Sequence, residues 1–141
     1  ARAQRPAITA AANYLGLSDQ QVQELTALRR DEQNALAPLR GQIGEKSKAL
    51  AEARKAANPD AAVVGQLVLD LQRLRDEIRR ANEDYHTKAV AVLDAGQREK
   101  LASLEKAGER DATTRAAVAG ATALNLILPP QTQRPAQRAR P

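Results

Sequence analysis

The sequence predicts an all-α protein built on a long helical hairpin of about four helices, and three observations carry that reading. The first is a repeated pattern. Leu17-Ser18-Asp19-Gln20-Gln21 returns as Leu93-Asp94-Ala95-Gly96-Gln97: Leu, an oxygen-bearing residue, two free positions, Gln. That is the spacing of a capping box, in which the Ser or Asp side chain accepts from the backbone N–H three residues on and the Gln reaches back to the cap's own N–H. The second is a heptad seam between the two boxes. Val64, Leu67, Leu71, Leu74, Ile78, Ala81, Tyr85, Ala89 and Val92 recur three or four residues apart, the spacing that keeps one helix face apolar. The third is composition. Hydrophobic residues make up 43% of the 141-residue chain, half of them Ala, with Tyr14 and Tyr85 the only aromatics and no Met. Such a chain makes thin Leu/Ala seams between helices rather than a thick core, and a self-association surface is the natural way to bury what a thin hairpin leaves exposed.

Residues 1–5 read as a flexible lead and residues 6–128 as one all-helical domain. Pro6 suits a first helical turn, Ile8, Ala11, Ala12 and Leu15 recur at helical spacing, and Gly16 fits the left-handed position that ends a helix. The second helix starts at Ser18, with Leu17 and Val22 placed for a hydrophobic staple. Its stripe runs through Val22, Leu25, Leu28, Leu36, Leu39, Ile43 and Leu50, weakened at Arg29 and Glu32. Pro38, Gly41 and Gly44 predict a bend or break near residues 34–44. The helix ends by Asn58-Pro59, because proline pushes its predecessor out of the α region. The third helix is the seam, with a mixed-charge opposite face. The fourth starts at Asp94, uses Leu101, Leu104 and Ala107, loosens at Gly108 and continues as an apolar stretch to Leu128. Pro129-Pro130 stops it, and 129–141 is a Pro/Gln/Arg tail expected to be disordered.

Net charge is +5, yet residues 18–127 hold equal numbers of acidic and basic side chains. The excess is Arg2 and Arg5 at one end and Arg134, Arg138 and Arg140 at the other. Nucleic-acid binders concentrate basic charge on a folded face, so no nucleic-acid partner is expected. Absence of Cys excludes disulfides and thiolate chemistry. Absence of Met means position 1 is not a translation start, so the reading is a mature form whose signal peptide has been removed, or a trimmed chain. No apolar run reaches the ~20 residues needed to cross a bilayer.

The paired boxes, Leu17-Ser18-Asp19-Gln20-Gln21 and Leu93-Asp94-Ala95-Gly96-Gln97, flank a long hairpin. With the run from Leu28-Arg29-Arg30 to Leu36-Ala37-Pro38-Leu39-Arg40, this arrangement resembles the periplasmic Spy/CpxP family and its heavy-metal-sensor relatives, whose motif is Leu-Thr-x-x-Gln. The resemblance covers roughly residues 15–104. Ser18 and Asp94 stand where the family has Thr, and Asp19 or Ala95 where Pro is frequent; all four preserve capping. The resemblance implies a mature periplasmic protein and an antiparallel, cradle-shaped homodimer. It further implies a protein that holds unfolding clients without ATP, or an accessory metal or stress sensor that regulates a membrane partner.

The chemistry-bearing residues point the same way. His86, the only histidine, forms an i, i+3 pair with Glu83, a spacing used in di-metal bundles, but such sites need further Glu and His ligands and soft metals need thiolates or thioethers. Glu83 and His86 are the weak metal candidate, and no cofactor is expected. Ser18, Ser47 and Ser103 have no His near in sequence, the glycines form no phosphate cradle, and the carboxylates alternate with bases as surface pairs do. No enzyme is expected. A purely structural helical dimer is the further alternative. The candidate client-binding patch is on the second helix: Leu36, Leu39, Ile43 and Leu50 with Arg29, Arg30 and Arg40. Leu buries exposed apolar groups of a partly unfolded chain, and Arg adds charge and stem contact. Without Met, whose flexibility suits adaptable surfaces, the grip is narrower. The apolar segment 116–128 needs cover, either swapped onto a partner subunit or docked across the concave face as an autoinhibitory stand-in for client.

Overall fold

The computed structural model describes residues 4–108 and 110–129. Among these residues are five α-helices and no strands: α1 (Gln4–Leu15), α2 (Asp19–Lys55), α3 (Ala61–Ala91), α4 (Ala95–Ala107) and α5 (Ala112–Ala123). They divide into two compact units, one from residues 19–92, the other from the chain up to Ser18 and from Leu93 onward.

The first unit is the hairpin. α2 and α3, of 37 and 31 residues, pack against one another along their length. Leu25 and Leu36 of α2 and Leu71, Leu74 and Ala89 of α3 are buried; each enclosed Leu contributes roughly 1.5–3 kcal/mol relative to an exposed one. The remaining seam residues Val64, Leu67, Ile78, Ala81, Tyr85 and Val92 stay half-exposed, since a two-helix layer covers only one side of each rod. Glu32 is the exception on the inner stripe, a carboxylate at 1% exposure paired with Arg29 one turn away. Lys46 Nζ meets Asp70 Oδ2 at 2.8 Å across the two helices. At the tip, Asp60 caps α3, its carboxylate accepting from the N–H groups of Ala62 and Val63 at 2.9 and 3.3 Å.

α2 does not break near residues 34–44. It runs through Pro38 without interruption. Pro38 is exposed, so the carbonyl that loses its helical donor one turn earlier turns to water, and the contact with α3 on the other side holds the rod.

In the second unit α1 packs on α5, with α4 against both. Ala11, Leu15, Ala117, Ala121, Leu124 and Leu126 form its core. The crossing is close because α5 presents Gly120: a Cβ there would lie 1.9 Å from the Ala7 carbonyl oxygen. α1 ends at Gly16 in the left-handed region (φ 72), with Leu17 N–H reaching Ala12 O at 2.9 Å, the six-to-one bond of a Schellman cap. α5 ends likewise: Asn125 (φ 60) donates to Thr122 O at 3.0 Å and Leu126 to Ala121 O at 2.9 Å.

Three expectations need correction here. Helix α1 already includes Gln4 and Arg5, inside the expected flexible lead. The expected fourth helix is two, because Gly108 takes positive φ (59) and Asp111 opens a new capping box. That box pairs Thr114 N–H with Asp111 Oδ1 at 2.8 Å and Asp111 N–H with Thr114 Oγ1 at 3.2 Å, so Thr does the work expected of Glu or Gln. The apolar segment 116–128 is covered by α1 of its own chain, so it needs neither a swap nor a docked position to be buried. The expected disorder of the tail falls mostly on residues 130–141, outside the described residues.

Candidate functional site

The two repeated boxes do more than cap. At α4 the box is complete: Gln97 N–H donates to Asp94 Oδ1 at 2.7 Å and Asp94 N–H to Gln97 Oε1 at 3.0 Å. The other half of the Gln97 amide then donates to Gly16 O at 2.9 Å, so one buried side chain satisfies a helix start and a helix end far apart in sequence. Gln21 plays the matching part in the hairpin, its Nε2 donating to Val92 O at 3.0 Å. Each Gln thus holds the carbonyl of the residue just before the other box: Gly16 precedes Leu17, and Val92 precedes Leu93. Leu93 is buried, Leu17 half-buried and Ser18 exposed. These residues are structural joints.

At about 100° per residue, Leu36, Leu39, Ile43, Leu50, Arg29 and Arg40 of the candidate patch on α2 fall within one sector of about 100°, while Arg30 lies on nearly the opposite side from Leu50. Leu36 is fully enclosed and offers no surface. Leu39, Ile43 and Leu50 are half-exposed, Arg30 and Arg40 exposed, and Arg29 is engaged with Glu32. What remains is a line of half-exposed Leu and Ile with the Arg40 head at its edge.

The surface apolar groups that the sequence reading missed are on α3. Val63, Val68 and Leu69 stand 49%, 42% and 58% exposed. The run Ala61–Leu71 is apolar nearly all round the helix, whereas an ordinary surface helix is apolar on one stripe. That signal was visible in the sequence; the seam alone was read from it.

Two cavities are lined by both helices of the hairpin. One, of about 250 Å³, is lined by Leu39, Gln42 and Lys46 of α2 and Asp70, Arg73, Leu74 and Glu77 of α3. The other, of about 320 Å³, lies between Glu24 and Leu28 of α2 and Lys88, Ala91 and Val92 at the end of the hairpin. Asp70 accepts from Lys46 and from Gln66 Nε2 at 2.9 Å, with Arg73 at 3.7 Å. The Lys46 hydrogen bond, then that of Gln66, holds its carboxyl below the usual 3.8. Lys88 pairs with Asp84 at 2.7 Å and lies 4.9 Å from the Tyr85 ring centre; the Asp84 hydrogen bond raises its ammonium above 10.5.

Glu83 and His86 sit on α3, Glu83 exposed and His86 half-buried. Among the described residues no three His, Cys, Asp or Glu side chains converge to hold a metal ion. No helix is long and apolar enough to cross a membrane.

A family model described as heavy-metal resistance matches residues 5–100. No curated protein and no solved structure matched the chain.

Proposed function

The chain belongs to the heavy-metal resistance family, a generally extracytoplasmic family that takes in the Spy/CpxP-like helical proteins, and from that premise we propose that it is a small ATP-independent chaperone of the bacterial periplasm. It holds partly unfolded client proteins on its helical hairpin, acts as a homodimer and catalyses no reaction. The observation that carries this reading is the surface of α2 and α3. Leu39, Ile43 and Leu50 lie half-open with exposed Arg40 at their edge, and Val63, Val68 and Leu69 project into solvent on α3. A monomeric soluble domain keeps exposed apolar groups scattered; here they gather on the one element that the family resemblance makes a cradle. The metal-sensing alternative lacks a converging donor set among the described residues.

The test is light scattering from a denatured model client diluted into buffer with one to a few equivalents of the protein and no nucleotide. Dose-dependent suppression is expected. It should weaken when Leu39, Arg40 and Ile43 are changed together, and when Val68 and Leu69 are changed to Ser, a pair whose exposure leaves the hairpin folded by circular dichroism. No suppression by a folded protein overturns the chaperone reading, and capture of a membrane sensor domain by that same protein would then favour the signalling alternative.

A further inference from the structure

The two hairpin cavities lie on the same side of the molecule. On α2, Glu24 and Leu28 share a sector of about 60° with Leu39, Gln42 and Lys46; on α3, Lys88 stands five full turns beyond Asp70 and so points the same way. Between the cavities the same sectors carry Ala35, Ala81 and Asp84, with Asp31 at their edge, so they put no bulky apolar side chain between the two. The result is one groove with two apolar floors. Leu28, Ala91 and Val92 make one, Leu39 and Leu74 the other, separated by the eleven-position step from Leu28 to Leu39, about 16 Å of helix. An extended peptide covers that distance in about five residues.

The charge on this groove runs against that of the chain. Its three cations are already engaged, Lys46 and Arg73 by Asp70 and Lys88 by Asp84. Glu24 and Glu77, on the same sectors, and Asp31, about 20° outside them, are exposed and have no ion-pair partner among the described residues. Counting Arg80, exposed at a like angle outside the α3 sector, five acids against four bases leave the groove net negative on a protein of net charge +5.

We propose that this groove is a client subsite selective for extended segments that carry two apolar residues about five positions apart with Lys or Arg around them. The proposal rests on the chaperone reading and names the class of client that reading leaves open. The apolar side chains enter the two floors, and the cations meet Glu24, Asp31 and Glu77. Because opposite charge at a rim governs selection more than raw affinity, the groove ranks clients by charge rather than gripping any one tightly.

The experiment is fluorescence anisotropy of the full chain with two labelled peptides at low salt. One carries two leucines five residues apart with lysine before, between and after; the other replaces each lysine by glutamate. The expected result is about tenfold tighter binding of the lysine peptide, lost in an E24Q/D31N/E77Q variant whose three exposed changes leave helicity intact. Net charge alone predicts the reverse, since a protein of +5 attracts the glutamate peptide. Equal binding, preference for the glutamate peptide, or a lysine preference that survives in the triple variant overturns the groove. Client suppression without a lysine preference overturns the groove alone, whereas absence of suppression overturns the chaperone reading.

Discussion

Gln97 shows how much one side chain carries in a chain with so thin a core. It is 7% exposed, and its amide joins two backbone groups: the N–H of its cap Asp94 and the carbonyl that ends α1. Gln97→Ala strands the Gly16 carbonyl and the Asp94 N–H, and a buried polar group left unpaired costs about 1–3 kcal/mol. Urea denaturation should show a loss of that size for Gln97→Ala and a smaller one for Gln21→Ala, whose amide makes its bond at a half-exposed site. Asp70 gives a pH signature. Its folded pKa lies below 3.8 because Lys46 and Gln66 hold the charged form; stability from the depressed value is therefore present above the unfolded pKa and lost as pH falls through the folded one. Chemical denaturation of Asp70→Asn against the wild type should show a gap near neutral pH that closes only in acid below 3.8. A gap unchanged by acid would place the stabilisation elsewhere. The roles of Asp94 and Gln97 as cap residues were legible from spacing, and their box is seen in full. The bonds of Gln21 to Val92 and of Gln97 to Gly16 were not, because they join residues 71 and 81 positions apart.

Among the elements, α2 is the one whose sequence argues against its structure. It contains Pro38, Gly41 and Gly44, yet spans 37 residues unbroken. Gly41 and Gly44 have open space where a Cβ would go, so Gly41→Ala and Gly44→Ala should each stabilise the protein by about 0.5–1 kcal/mol through backbone entropy, read as a rise in thermal midpoint. Gly120 is the opposite case. The same Gly→Ala change drives a methyl into the Ala7 carbonyl and should destabilise by at least about 1–3 kcal/mol, with α1 and α5 separating first; hydrogen exchange localised to those helices would show it. Helix identity followed from apolar period and caps, and α3 was legible almost to its ends. The split between α4 and α5 was missed because a single Gly in a helical pattern usually costs only stability, whereas Gly108 takes positive φ and leaves the helix. The candidate face on α2 took in Arg30, which lies away from the others around the helix, and Leu36, which turned out to face the core. Recognition of a polar groove needed both helices in register, which no single-helix pattern encodes.

For the whole molecule, the apolar run Ala61–Leu71 bears on assembly. Val68→Lys with Leu69→Lys should leave α3 helical and shift the sedimentation of the protein toward that of a 15.2 kDa single chain, if these side chains are buried between two copies; an unchanged mass would show that these side chains are not buried between copies. The division of the chain has a different consequence. The hairpin is one uninterrupted stretch, residues 19–92, while the other unit is assembled from both ends of the sequence. A ribosome adding about 5–20 residues each second finishes α1 roughly 5–20 s before α5 exists to cover it. During that interval the hairpin has everything it requires to form from neighbours in sequence, and Ile8, Ala11 and Leu15 do not. Helix α1 is therefore made before the hairpin yet sheltered after it, and a chain stalled before Gly120 leaves the ribosome with a finished hairpin and a bare α1.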